Sequence, residues 1–139
     1  MKIETTSFSV ETNGHTDIID ITGEVKKVLS ESGLREGTAL VFVPGSTAGV
    51  TTIEYEPGLL HDYPAFFEKI IPSNSNYRHN DTWHDGNGHA HVRAALQGAS
   101  FTVPFKSSKL LLGTWQQIIL VDFDARARNR KVIVQLMGN

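Results

Sequence analysis

The sequence predicts a single α+β domain over residues 1–139, with a β-sandwich-like core of antiparallel or mixed sheet and about three flanking helices. Three observations predict it. The C-terminal part of the chain is almost entirely strand-type. Two of its runs, QQIILVDF and KVIVQLM, are apolar without clean alternation, as in strands covered on both faces. Three segments further upstream carry apolar residues at helical spacing.

The elements follow in order. Phe8–Thr12 and Asp17–Ile21 read as short extended segments joined through the turn signal Asn13-Gly14, which predicts a hairpin. Thr22 caps a helix over Glu24–Ser32, with Val25, Val28 and Leu29 on one face and Gly33 as its stop. Ala39–Val43 is a strand punctuated by Pro44-Gly45, and Val50–Tyr55, rich in Val, Ile and Thr, is the next. Leu59–Ile70 is helical despite Pro64. Residues 72–88 are irregular and polar, a long connector for so small a domain and the kind that often carries function. Asn87 caps a helix running to Gln97, and Gly98 ends it. Strands over Ser100–Phe105, Leu110–Leu112, Gln116–Phe123 and Lys131–Met137 complete the chain, with turns at 106–109 and 124–130.

Composition narrows the function classes. Forty per cent hydrophobic and 20% charged residues describe an ordinary globular chain. A net charge of −2 supplies no drive toward nucleic acid or anionic membrane. No apolar run reaches the ~18 residues that span a bilayer, and MKIETTSFSVET has no apolar signal segment. The absence of cysteine excludes disulfide and thiolate chemistry. The expectation is a cytoplasmic protein with neither nucleic-acid nor membrane partners.

Five of the six histidines (His61, His79, His84, His89 and His91) cluster in the middle of the chain, and histidine is both the usual neutral-pH acid/base and a frequent metal ligand. On a helix, i and i+2 point about 200° apart, so only one of His89 and His91 can face a site shared with His79. A third ligand would be His61 or a carboxylate such as Asp62 or Asp85; His61, His79 and His91 form the expected metal set. The bland alternative is a group of surface and capping histidines. Between two strands, Pro44–Gly49 offers backbone N–H groups with the hydroxyls of Ser46 and Thr47 for a phosphate, or makes a plain tight turn. Glu54 and Glu56 share one strand face near Asp62, to hold a cation, to accept a proton, to meet an arginine or to sit in solvent. Arg126, Arg128 and Arg130 alternate, which on extended chain places three guanidiniums on one side to meet a diphosphate or a carboxylate, or simply to be solvated at a hairpin tip. Trp115 and Gln116 line a flat ring or fill the core.

Leu110–Ile118 (LLLGTWQQI), preceded by Gly98-Ala99-Ser100, resembles the signature of the YjbQ-like family of small bacterial and archaeal proteins, also called secondary thiamine-phosphate synthases. Further family stretches are Ser46-Thr47-Ala48 before a strand ending in Glu54, the His61-Asp62 pair, the 77–81 segment YRHND, Ala90-His91 and Arg128-Asn129-Arg130. The likeness runs from about Val41 to Gly138. It implies a homotrimer with sites between subunits, and a polar pocket of Glu54, Asp62, His79, His91, Gln116 and the arginine pair. It further implies an enzyme that joins a pyrimidine, carried on its diphosphate, to a thiazole phosphate, with a divalent metal (zinc or magnesium) and a small phosphorylated substrate. Glu54, Asp62, His79 and His91 would be catalytic; Ser46, Thr47, Trp115, Gln116, Arg128 and Arg130 would bind substrate. The alternatives are a metal-assisted hydrolase of a small phosphate compound and a non-catalytic trimeric module for metal or anion. The chain departs from the family pattern where Gly45 replaces a frequent histidine, Ile53 an asparagine, Ser108 a turn glycine and Ala125 a glycine.

Overall fold

Every strand pairing in the computed structural model, which describes residues 1–139, is antiparallel, and the pairings divide into two sheets. The elements are β1 (Lys2–Thr12), β2 (Asp17–Asp20), α1 (Thr22–Ser32), β3 (Glu36–Phe42), β4 (Ala48–Ile53), α2 (Pro57–Ile70), α3 (Arg78–Trp83), α4 (Gly88–Gln97), β5 (Ser100–Lys106), β6 (Lys109–Leu110), β7 (Gln117–Asp122) and β8 (Arg128–Gly138). One sheet runs β1-β8-β3-β5-β6 and the other β2-β7-β4.

The two sheets face each other across the larger core. Val41, Val103, Phe105, Val134 and Leu136 of the first meet Ala48, Val50, Ile118 and Leu120 of the second, with Val25 and Leu29 of α1 closing one end. The opposite face of β7 presents Ile119, Val121 and then Phe123 to Phe67 of α2 and to Ala90 and Ala94 of α4. β7 is therefore covered on both faces, which is why its sequence loses the period-2 alternation of a half-exposed strand. β8 differs from the sequence expectation: Val132, Val134 and Leu136 are buried while Ile133, Gln135 and Met137 are half-buried, so KVIVQLM alternates after all.

Three local expectations need correction. Phe8–Thr12 and Asp17–Ile21 do not form a hairpin. β1 pairs with β8 along its whole length, and β2 pairs with β7 in the other sheet. Gly14, His15 and Thr16 all adopt positive φ, so the chain turns away from its own direction after Asn13 and crosses between sheets. Thr22 opens α1 rather than capping it; Asp20 Oδ1 accepts hydrogen bonds from the Thr22 N–H and hydroxyl. The 72–88 connector contains the six-residue helix α3, making four helices in place of about three. Glu56 caps α2, accepting from the N–H groups of Gly58 (2.9 Å) and Leu59 (2.5 Å), and is thereby spent structurally. No helix is long and apolar enough to cross a membrane.

A buried arginine fastens the helices to the small sheet. Arg93 on α4 donates to the Ile71 carbonyl, to Thr16 Oγ1 (3.0 Å) and to Glu68 Oε2 (2.7 Å). Hydrogen bonds from the Ser73 N–H and from Arg93 lower the Glu68 pKa to about 2. A depressed carboxylate contributes stability above its unfolded pKa of about 4.3 and loses it as pH falls toward about 2. Wild type is thus expected to melt above Glu68→Gln at pH 6, with the gap closing between pH 4 and pH 2. The Glu68 side chain is 51% exposed, which holds the effect below about 1 kcal/mol. A gap that persists at pH 2 in thermal melts would contradict this account.

Candidate functional site

Two structures built by different segments meet at one end of the small sheet. The first is the histidine group. α3 carries His79, the 84–87 loop carries Asp85 and the first turn of α4 carries His91, whose N–H donates to the Asn87 carbonyl at 3.1 Å. One ligand atom from each of His79, Asp85 and His91 lies within 4.8 Å of the others. The imidazole centroids of His79 and His91 are 4.2 Å apart. His79 Nδ1 is buried and makes no hydrogen bond, although Asp85 Oδ1 stands 3.4 Å away. Burial, and then the neighbouring His79 imidazole, push the His91 pKa down against the upward pull of Asp85 and Asp124. A neutral imidazole with a free lone pair is the state that ligates a metal.

The residues therefore fit a divalent ion on the structure's own terms. An orphaned buried ring nitrogen, a second imidazole and a carboxylate converge on one point. Two nitrogens and one oxygen suit zinc better than magnesium, which prefers an all-oxygen shell, and three protein ligands leave positions open. As helical geometry requires of residues two apart, His91 faces His79, while His89 is buried on the other side beside the Tyr77 ring, 6.4 Å between centroids.

The second structure is a carboxylate hub. Asp122, wholly buried at the end of β7, accepts from Arg130 Nε and Nη2 (2.8 Å each), from Thr12 Oγ1 (2.6 Å) and from the Asp124 N–H (3.1 Å). Asp124 accepts from Thr47 Oγ1 (3.0 Å), Asn87 Nδ2 (3.3 Å) and Arg128 Nη2 (3.0 Å). Burial raises the Asp124 pKa, but the hydrogen bonds from Arg128, Thr47 and Asn87 outweigh it and hold the carboxyl below the ordinary range. The Asp122 carboxylate raises the Arg130 pKa further, against the effect of burial. Asn87 makes no side-chain cap for α4; its amide joins the hub, accepting from the Ala125 N–H at 2.8 Å. It thus couples the loop before α4 to the hub.

Beside His91 lies a cleft of ≈ 410 Å3 lined by Gly45, Ser46, Ala48, His91, Ala95 and Ala99 among others. Ser46 faces it. Thr47 does not: its hydroxyl, buried, is occupied by Asp124 and by Arg130 Nη2 (2.6 Å). Arg128 lines a separate groove with Glu11, Thr12 and Asn13, and Arg126 is largely solvated, so the three arginines do not form one face. His61 is 82% exposed, with Nδ1 3.1 Å from the exposed Asp62 carboxylate, and neither belongs to the ligand group; Asp85 stands where His61 was expected. Glu54 is exposed and its side chain makes no hydrogen bond. Trp115 is 71% exposed, so it does not fill the core. Gln116 braces a turn, accepting from the Gly113 N–H and donating to Thr52 Oγ1. From sequence, Asp122 and Asp124 have no site role and Asn87 only that of a helix cap; a pair of aspartates closing an apolar strand is the one available signal.

A small two-sheet α+β protein with helices on the lesser sheet, a histidine–aspartate ligand group and an arginine–aspartate hub is the class that this geometry defines. The chain belongs to the UPF0047 YjbQ-like family, whose model matches residues 6–139. It is 37% identical over 133 residues to a UPF0047 protein of Methanocaldococcus jannaschii, covering 95% of this chain and 93% of that one. A hypothetical protein of Aeropyrum pernix superposes with a TM-score of 0.91 at 36% identity, covering 98% of this chain and 99% of that one. An uncharacterized conserved protein of Clostridium acetobutylicum superposes at 0.87 with 39% identity, over 95% and 99% of the two chains.

Proposed function

We propose that the chain is a divalent-metal-dependent enzyme acting on a small phosphorylated compound, with a thiamine-phosphate-synthase-like transfer as its reaction. The observation that carries this reading is the convergence of His79, Asp85 and His91 within 4.8 Å of one another, with His91 also lining the cleft. In the transfer, the C–O bond between the pyrimidine methylene and its diphosphate breaks and a C–N bond forms from the lone pair of the thiazole nitrogen. The diphosphate departs with the bonding electrons. His79, Asp85 and His91 would hold zinc or magnesium, which would supply neutralisation of that departing charge. His91 faces the cleft and so orients what enters it, and Ser46 offers a hydroxyl to the substrate. Small residues at 45, 48, 95 and 99 leave room for a flat ring. We read the cytoplasmic homotrimer as the working form. The exposed Phe66, Ile70, Val92 and Leu96 support an apolar contact between copies, and Glu54 and Trp115, exposed, are available to a neighbour's site.

Diphosphate release from the pyrimidine diphosphate, dependent on both thiazole phosphate and added metal, tests the transfer; Asp85→Ala and His91→Ala are expected to lower it by at least about 100-fold, the scale of losing a ligand or its partner. Absence of release above background with wild type ends the transferase reading. A second reading, metal-assisted hydrolysis of a phosphate monoester, is favoured by the positions that a three-ligand set leaves open for water. Inorganic phosphate released without an acceptor identifies it. Binding without either product leaves a metal- or anion-binding module.

A further inference from the structure

Arg130 differs from the other two arginines of its strip. Asp122 holds its Nε and Nη2 at 2.8 Å, and Nη2 also donates to Thr47. The side chain is 13% exposed. Its third nitrogen, Nη1, donates to nothing in the chain and lies against Gly45, so close that a Cβ placed on that residue would stand 3.0 Å from it. Gly45 and Ser46 are wall residues of the cleft that His91 also lines. A guanidinium already fixed along one edge gives up no further side-chain freedom when its remaining N–H meets an anion.

We propose that Arg130 Nη1 and the Ser46 hydroxyl form a preformed subsite for one phosphate monoester, and that Gly45 is the specificity-determining residue that keeps Nη1 accessible. The inference rests on the reading of the cleft as a site for phosphorylated compounds. It places that phosphate on residues outside the metal set, so the two fail separately. Any diphosphate is then left to the histidine end, and the cleft accepts two phosphorylated groups at distinct places.

The test titrates inorganic phosphate into the metal-free protein, followed by 31P NMR, for wild type, Gly45→Ala and His79→Ala. Zinc uptake is measured in parallel. Gly45 has no left-handed φ, so the backbone admits alanine and only the space beside Nη1 changes. Wild type is expected to bind phosphate, Gly45→Ala about tenfold more weakly, the scale of one charged hydrogen bond, and His79→Ala as wild type does. Gly45→Ala is expected to take up zinc normally. Should it melt early, Ser46→Ala carries the same comparison. Phosphate binding unchanged in Gly45→Ala, or lost in His79→Ala, overturns the proposal. Wild type that takes up no zinc yet binds phosphate removes the metal reading and leaves this subsite standing.

Discussion

Alanine at His79 or at His91 is expected to lower zinc affinity by more than about 100-fold, since even the outer hydrogen-bond partners of a metal ligand are worth 10- to 100-fold. Asp85→Ala is expected to behave alike and His61→Ala to match wild type, because His61 is solvated and paired with Asp62 outside the ligand group. Competition against a chromophoric chelator, on untagged protein, gives the affinities. Zinc retained in all three ligand variants, or lost in His61→Ala, would sink the assignment. The pH dependence has a definite sign. Ligating imidazoles must be neutral, and burial beside His79 lowers the His91 pKa. Zinc should therefore stay bound to a lower pH than an ordinary imidazole value of about 6.5 implies.

That first result depends on a distinction which the sequence carried only in part. The helical geometry of residues 89 and 91 separated the two histidines, since neighbours two apart on a helix diverge whatever the fold. His61 could not be excluded in the same way, because closeness along the chain says nothing about a site assembled from α3 and α4 rather than α2. The strand inventory was legible for the same local reasons, and β7 announced its two buried faces through its unbroken apolar run. Pairing was not legible. Asn13-Gly14 is a hairpin signal, yet the positive φ at His15 and Thr16 sends the chain to another sheet, and β1 finds β8 more than a hundred residues away. The arginines misled for a related reason. Their period-2 spacing is real, but Asp122 and Asp124 decide where each guanidinium goes, and an aspartate inside IILVDFD reveals its partner only once the strands are paired.

Asp122→Ala is expected to cost about 3–5 kcal/mol, the range for stripping one member from a buried ion pair. The carboxylate is wholly buried, and without it Arg130 keeps only Thr47 and the more distant Asp124 carboxylate at 3.8 Å. Against a total stability of about 5–15 kcal/mol, such a loss shifts the urea midpoint well outside error. Asp122→Asn, which keeps the shape and loses the charge, should fall between. A change under about 1 kcal/mol in the alanine variant would show that the pair is not buried as described. The more informative variant removes both charges. Leucine at 122 with methionine at 130 replaces the pair by apolar volume, and such replacements are often neutral or stabilising because two desolvation penalties vanish together. The double variant is expected to recover most of the stability lost in Asp122→Ala, yet phosphate binding in the cleft should not return with it. A protein that folds as well without Arg130 and Asp122, but no longer holds the anion, would place that pair among the residues kept for binding.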